Sequence, residues 1–515
     1  MILLTGTAVS KYNRQSAVAS DLNKAAKALA LKDANLWGEG AKAEAGVRLN
    51  WIDLPRSSRD LLPELDALSA WARANGLNNF ILCGMGGSSL APEVMAKTFN
   101  REITILDTTD PTQIRAAVPQ DLRQTLIIVG SKSGSTIETA SQKAFFEKLF
   151  TDAGLDPVSH FVIVTDPKSP LDISSRASGY KVINADPNVG GRFSALSAFG
   201  LVPAALLGID VSVLLDDADV ASSTFTEEDS PAIKLATLLF EQCEQNFSLT
   251  DENSNVSGLG DWIEQLIAES TGKDQRGRLP IVIESAKSEV SGLALRIGFA
   301  QDSADLNVIA TLGEHFILWE WVTALLCRAL EVDPFNQPNV TEAKERTGEL
   351  LAQWASNGIP KNEAKIKSDN LEIFFEGSAT NFADALKSLI TPASKYLAVM
   401  AYLNRTADFP ILGIRSLLAS KTRIGTTFGW GPRFLHSTGQ FHKGGTPNGI
   451  FIQITGDSKE DLAIPGKDFT FQRLLMAQAL GDALAIESRN FPLMRIHLLN
   501  REAGIAELLD LIAKL

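Results

Sequence analysis

From about residue 78 the chain alternates short apolar runs with stretches whose apolar residues recur at helical spacing. The runs Asn79–Gly84, Glu102–Leu106, Thr125–Gly130, His160–Thr165 and Lys181–Asn184 are rich in Ile, Val and Leu and have the length of buried strands. Between them lie helical stretches, such as the one marked by Ile137, Ala140, Ala144, Phe145 and Leu149. This alternation predicts a doubly wound parallel sheet. A Ser/Thr/Asp-rich stretch over 216–230 predicts a boundary, and a second α/β set follows it. That set comprises a helix over Pro231–Asn246, strands at Leu279–Glu284 and Asp305–Thr311, and a long apolar helix over Phe316–Leu330. Further strands are predicted at Tyr396–Leu403, Gly449–Thr455 and Leu493–Leu498. Residues 1–50 are rich in Ala, Lys and Asp and read as helical. The expected organisation is therefore α/β: a helical N-terminal segment (1–50), a first parallel-sheet domain (51–220) and a second (221–515).

Composition narrows the function. A chain of 515 residues exceeds one comfortable core, and 45% hydrophobic with 21% charged residues describes a folded, soluble protein. A net charge of −13 argues against a nucleic-acid partner or an anionic membrane surface. The longest apolar stretch, Ala195–Leu215, is broken by Gly200, Pro203, Gly208 and Asp210, so it reads as a buried helix, a turn and a second short element, not a membrane span. Basic residues nevertheless sit beside glycines and hydroxyls at Lys132, Arg192, Lys273, Lys344, Arg433 and Lys443. Basic pockets on an acidic body suit a small anionic substrate. Cys83, Cys243 and Cys327 lie far apart and form no Cys-x-x-Cys pair, which predicts neither disulfide framework nor zinc site and fits a reducing cytoplasm. No secretory signal is visible at the N-terminus.

The candidate chemistry follows the strands. Ser131-Lys132-Ser133-Gly134-Ser135-Thr136 comes directly after a buried strand and opens a helix. One hydroxyl suffices to cap a helix, and this loop supplies four with an ammonium, which predicts a cradle for a phosphate-like anion. It lacks the Gly-x-x-x-x-Gly-Lys-Ser/Thr spacing of a nucleotide-triphosphate loop. The loop Gly84-Met85-Gly86-Gly87-Ser88-Ser89 follows the first strand, and its glycines permit close backbone approach to a ligand. In Gly190-Gly191-Arg192-Phe193-Ser194 a guanidinium is placed to steady negative charge developing on an oxygen. Glu269-Ser270-Thr271-Gly272-Lys273 ends a helix with a carboxylate that can be aimed into a cleft. The stretch Asn336–Lys344 opens another helix at Pro338 and Asn339. Arg433–Gly445 carries two of the five histidines, His436 and His442, six apart and without a nearby metal-binding partner, so both read as proton-transfer or binding groups.

Taken in order, Gly86-Gly87-Ser88, Ser131–Thr136 with Glu138, Gly190–Ser194, Glu269–Lys273, and Gln337 with Lys344 resemble the phosphoglucose isomerase family. That family is built from two sugar-isomerase (SIS, flavodoxin-like) domains, and the resemblance covers about residues 50–515. The texture is most similar to the isomerase half of bacterial transaldolase–phosphoglucose isomerase fusions, with the transaldolase half expected to be absent. The resemblance implies interconversion of glucose 6-phosphate and fructose 6-phosphate without cofactor or metal. It implies that Ser131, Lys132, Ser133 and Thr136, with Gly87 and Ser88, hold the phosphate end of the sugar. Glu269 would move a proton between C2 and C1 through a cis-enediolate that Arg192 stabilises; Lys344 would sit near the ring oxygen, supported by Gln337. His436 in Leu-His-Ser-x-Gly-Gln matches the ring-opening histidine, with His442 as a competing candidate. The histidine segment here follows both the Glu and the Lys motifs, whereas in single-activity isomerases it lies between them. The resemblance also implies a cytoplasmic homodimer. A sulfonated hexose as substrate and a non-catalytic sugar-phosphate sensor are the alternatives; the intact Glu269 and the lack of a basic recognition helix speak against the sensor.

Overall fold

The computed structural model describes residues 1–515 except 286, 291, 293, 294, 303, 361 and 362, and except the side chains of 356 and 357. Its described strands form three sheets. The first holds Thr104–Leu106, Asn79–Gly84, Thr125–Gly130, Phe161–Thr165 and Lys181–Asn184, in that spatial order and all parallel. Taken by position in the chain this is the order 2-1-3-4-5 of flavodoxin-like sheets. Their ligand crevice opens where the connections diverge, between the first and third strands. The loops leaving those two strands are Gly84–Ser89 and Ser131–Thr136, so the topology carries the two candidate binding loops to one edge of one crevice.

The apolar runs read as strands because both faces of this sheet are covered. Ile81, Cys83, Ile127 and Val129 pack against Phe146 and Phe150 on one side. Leu82, Ile128, Val162 and Val164 pack with Leu90, Ala91 and Val94 on the other. A strand buried on both faces has no polar alternation to lose, which is why its sequence is continuous in Ile and Val.

The second sheet runs Leu3–Thr5, Leu306–Ile309, Arg296–Gly298, Asn246–Thr250 and Leu279–Val282. The third runs Ile366–Lys367, Leu371–Phe375, Leu493–Leu498, Gly449–Gly456, Tyr396–Ala401 and Gly425–Trp430. The two meet in one apolar cluster in which Leu279 and Ile281 pack with Tyr396, Ala398 and Phe451. Strands that the sequence reading groups into a single stretch over 221–515 are thus divided between two sheets.

Three local expectations change. The N-terminal segment is not wholly helical: Leu3–Thr5 pairs antiparallel with Leu306–Ile309 and closes the edge of the second sheet. The helix expected to reach Asn246 stops at Gln242, and Asn246–Thr250 is an interior strand between two parallel partners. Its alternation of Asn, Ser and Thr with Phe and Leu is too short to announce itself after a good helix. The stretch 216–230, read as a boundary, is in part helical: its first residues belong to the Val211–Ser222 helix, in which Ala218 is buried. Among the described residues, no helix is long and apolar enough to cross a membrane.

Candidate active site

A cavity of about 220 Å³ opens at the end of the first sheet. Its wall takes Ser135, Thr136 and Glu138 from the start of the Ile137–Asp152 helix, Lys344 from the Pro338–Asn357 helix, His436 and Lys443 from the segment after the third sheet's edge strand, and Gln478 from the Phe471–Glu487 helix. A larger cleft of about 480 Å³ on the third sheet, lined by Phe374, Glu376, Glu487 and Arg495 among others, receives none of the expected site residues.

The anion loop is only partly turned to this cavity. Thr136 is the N-cap residue but makes no side-chain cap bond. The N-cap side chain therefore takes none of the first-turn N–H groups beside the cavity. Ser135, which the sequence reading did not single out, lines the wall with it. Ser131 is buried and accepts from the Gly134 N–H at 3.1 Å. The exposed Ser133 bonds to the Ser135 hydroxyl at 2.6 Å. Lys132 points elsewhere: its ammonium lies 2.7 Å from Asp166 and donates to the Pro187 carbonyl at 3.0 Å. Its sequence position puts it in the loop, but two acceptors on neighbouring strand ends draw it away.

The glycine loops do something other than admit a ligand. A Cβ on Gly87 would lie 1.8 Å from the Gly191 carbonyl oxygen, so this glycine exists to let the Gly190–Ser194 loop seat directly on the start of the Gly87–Thr98 helix. Gly86, at φ +57°, turns the chain into that helix, and a Cβ there would meet Gln265 and the His436 carbonyl. The Ser88 hydroxyl is bound inward, accepting from the Met85 N–H at 3.0 Å and lying 3.1 Å from the Gly130 carbonyl. It ties two strand ends together and does not line the cavity.

Seated this way, Arg192 is buried and fully engaged. Its guanidinium donates to Ser270 Oγ at 2.8 Å, to Gln337 Oε1 at 2.8 Å and to the Pro334 and Asn336 carbonyls, and lies 3.3 Å from Glu269 Oε1. Arg192, Glu269 and Gln337 thus meet although they are far apart in the chain. Gln265, one helical turn before Glu269, donates from the same nitrogen to Glu269 Oε2 at 3.2 Å and to the His436 carbonyl at 2.7 Å. This amide couples the carboxylate to the histidine segment. The His436 imidazole Nε2 stands 3.0 Å from Glu138 Oε1, which also accepts from Gln478 Nε2 at 2.7 Å. Burial raises the Glu138 carboxyl, but the neighbouring His436, the residue's own backbone N–H and Lys344 together outweigh it and hold the group below its ordinary range. Gln478 is fixed in turn by the Thr109 hydroxyl, which donates to its carbonyl oxygen at 2.6 Å.

His442 is not part of this arrangement. It is 3% exposed and packed among Tyr396, Phe434 and Phe451, and neither ring nitrogen has a hydrogen-bond partner among the described residues. Burial pushes its pKa well below the ordinary value, so it is a neutral core residue and not a binding group. The expectation that it competes with His436 is corrected on this ground.

Another missed feature holds the histidine segment in place. Arg433, three residues before His436, lies 2.6 Å from Glu93 and 2.9 Å from Asp107, with all three side chains buried. This ion cluster clamps the late segment onto the first sheet and its helix. The signal was present in the sequence as Glu93, a lone acid inside the apolar run Leu90–Met95. Lys273 is also buried, donating to the Asp333 carbonyl, and burial followed by the nearby Arg192 lowers its pKa to about 7. Among the described residues no group of three His, Cys, Asp or Glu side chains is placed to hold a metal ion.

Against known proteins, residues 61–274 match the family described as phosphoglucose isomerase. The chain is 35% identical over 248 residues to a glucose-6-phosphate isomerase of Thermus thermophilus, covering 46% of this chain and 59% of that protein. It is 28% identical over 289 residues to that of Methanocaldococcus jannaschii, covering 51% and 71%. It therefore spans about three-fifths of the length of the first of these relatives. Among solved structures, a glucose-6-phosphate isomerase from Chlamydia trachomatis superposes with a TM-score of 0.51 at 20% identity, over 58% of this chain and 74% of that one. That likeness concerns the fold: mixed α/β with parallel sheets.

Proposed function

We propose, from the match of residues 61–274 to the phosphoglucose isomerase family, that this chain belongs to that family and interconverts D-glucose 6-phosphate and D-fructose 6-phosphate. The observation that carries the reading is the buried Glu269–Arg192 pair, coupled through Gln265 to a His436–Glu138 pair on a cavity that also holds Thr136 and Lys344. Aldose–ketose isomerisation needs one carboxylate beside a C–H acidified by an adjacent carbonyl, an acid to open the ring, and fixed positive charge where the enediolate oxygen develops.

In this proposal the phosphate docks on the first turn of the Ile137–Asp152 helix, with Ser135 and Thr136 as donors. His436, oriented by Glu138, protonates the ring oxygen, and Lys344 steadies that oxygen as the ring opens. Glu269 takes the proton from C2 and returns it to C1. Arg192, rigidly held by Gln337 and Ser270, supplies fixed positive charge beside Glu269 for the enediolate. A cytoplasmic homodimer is part of the same proposal, as is 51–220 as the first of the sugar-isomerase domains.

The test is the rate of conversion of glucose 6-phosphate by the purified chain, alongside Glu269→Gln and a six-sulfonated glucose analogue. Turnover of the phosphate by the native chain, its loss in the variant and continued binding of substrate by that variant are expected. No turnover by the native chain, or near-normal turnover by Glu269→Gln, refutes the assignment; preference for the sulfonate redirects it to another anion.

A further inference from the structure

The cleft of about 480 Å³ on the third sheet takes no part in the reaction proposed above, and its size is that of a small-molecule site. Five charged side chains line it: Glu363, Lys365, Glu376, Glu487 and Arg495. Among the described residues none of the five makes a side-chain hydrogen bond or an ion pair. Arg495 lies on the Leu493–Leu498 strand, between two neighbouring strands and directly opposite Phe374, and its guanidinium stands 5.0 Å from the centre of that ring. The ring gives one face of the guanidinium a partner but accepts none of its in-plane N–H groups. Those nitrogens have no acceptor, and they are not sealed from solvent. Glu487 matches Arg495 from the other wall. It closes the Phe471–Glu487 helix, whose last turn carries no basic residue, so its carboxylate stands at the end where the helix carbonyls oppose it. Burial raises the Glu487 pKa while Arg495 lowers it, and burial lowers the Arg495 pKa while Glu487 raises it. The two opposite charges sense each other across the cleft without meeting.

We propose that this cleft binds a free α-amino acid with an apolar side chain, its carboxylate on Arg495 and its ammonium on Glu487. Charge decides the class of ligand. A plain anion would meet Arg495 and Lys365 but face the three carboxylates, and a plain cation would be opposed by the two basic groups. A molecule with both charges on one carbon is complementary at each wall. A guanidinium takes a carboxylate through two parallel N–H bonds, which answers the unpaired donors of Arg495. An ammonium answers a carboxylate left unpaired at a helix C-terminus. Leu389, Phe491 and Leu493 give the cleft an apolar wall for the side chain of the ligand. The site stands apart from the sugar-phosphate reading and does not depend on it.

The experiment is titration calorimetry on the full chain with three probes: L-phenylalanine, hydrocinnamate, which lacks the ammonium, and phenylalanine methyl ester, which lacks the carboxylate. Phenylalanine is expected to bind, and each of the other two to bind about tenfold or more weakly, the worth of one hydrogen bond to a charged group. Arg495→Gln should weaken phenylalanine about tenfold or more. Glu487→Gln should weaken it by a similar factor while leaving hydrocinnamate at least as tightly bound as in the native chain. A native circular-dichroism spectrum checks the fold of each variant. If Arg495→Gln does not fold, the two analogues and Glu487→Gln, whose side chain is exposed, still decide. A native chain that binds no phenylalanine up to about 10 mM overturns the proposal. Hydrocinnamate binding as tightly as phenylalanine overturns it by making the cleft a plain anion site, and the methyl ester doing so overturns it by making the cleft a cation site. Phenylalanine binding that neither variant diminishes places the amino acid elsewhere and overturns it as well.

Discussion

Replacing Gly87 by alanine tests whether the seating of one loop on one helix sets the geometry of the reacting groups. The added methyl would sit 1.8 Å from the Gly191 carbonyl oxygen and 3.2 Å from the Arg192 nitrogen. Contacts of this kind do not fall below 3.0 Å, so the two backbones must part by at least about 1.2 Å. The residue that moves first is Arg192. Its bonds to Ser270 and Gln337, each 2.8 Å, tolerate only a few tenths of an ångström before they weaken, and its approach to Glu269 is already 3.3 Å. A misplacement of about 1 Å in a catalytic group lowers rates by on the order of 100-fold. Overpacking of this size destabilises by about 1–3 kcal/mol, which a chain of this size should survive folded. The measurement is kcat/KM for glucose 6-phosphate in a coupled spectrophotometric assay, with a thermal melt on the same samples. Gly191→Ala is the control, because nothing lies within 4 Å of a Cβ at that position. Gly87→Ala should lose about 100-fold while Gly191→Ala stays near native. A Gly87→Ala rate within about threefold of native, or equal losses in both variants, would refute the argument.

Three further outcomes follow from the same contacts. Glu138→Gln removes the charge that orients His436 and should lower kcat by about 10–100-fold, the worth of a hydrogen bond to an ionised group; a change below about threefold would remove Glu138 from the mechanism. Because the Glu138 carboxyl is held below its ordinary 4.5, it adds stability above that value and loses it as pH falls through the folded value. The melting temperature of the native chain should therefore drop more steeply than that of Glu138→Gln below about pH 4.5. Lys273 has the same sign in a higher window: its pKa is lowered from 10.5 to about 7, so between those values the unfolded chain binds a proton that the folded one does not, and stability rises with pH. Relative to Lys273→Met, the native chain should gain roughly 2 kcal/mol between pH 7.5 and 9, read by denaturant titration; a flat difference would show that the amine keeps its ordinary affinity for protons.

Much of the first sheet was written in the sequence, because its strands are buried on both faces and must be apolar throughout, as Leu126–Val129 and Phe161–Val164 are. The order of strands, and with it the crevice between the first and third, came only from the structure, because right-handed connections permit more than one order. Glu269 and Arg192 could be named because each sits at the end of an element beside a small residue that opens the chain to a cleft. The tertiary structure decided the rest. Leu3–Thr5 is too short to declare itself as a strand before Leu306–Ile309 offers it an edge. His436 and His442 carry equal weight as residue types, and only packing separates them, one against Glu138 on a cavity and the other among three aromatic rings. Lys132 reads as an anion ligand until Asp166 and Pro187 draw it aside. Gln265 and Gln478 carry no motif, since their value lies in partners 171 residues away in the first case and 340 in the second. Local spacing fixes which face of an element a side chain occupies. What stands opposite that face is a property of the packed chain, and hydrogen-bond partners are chosen there.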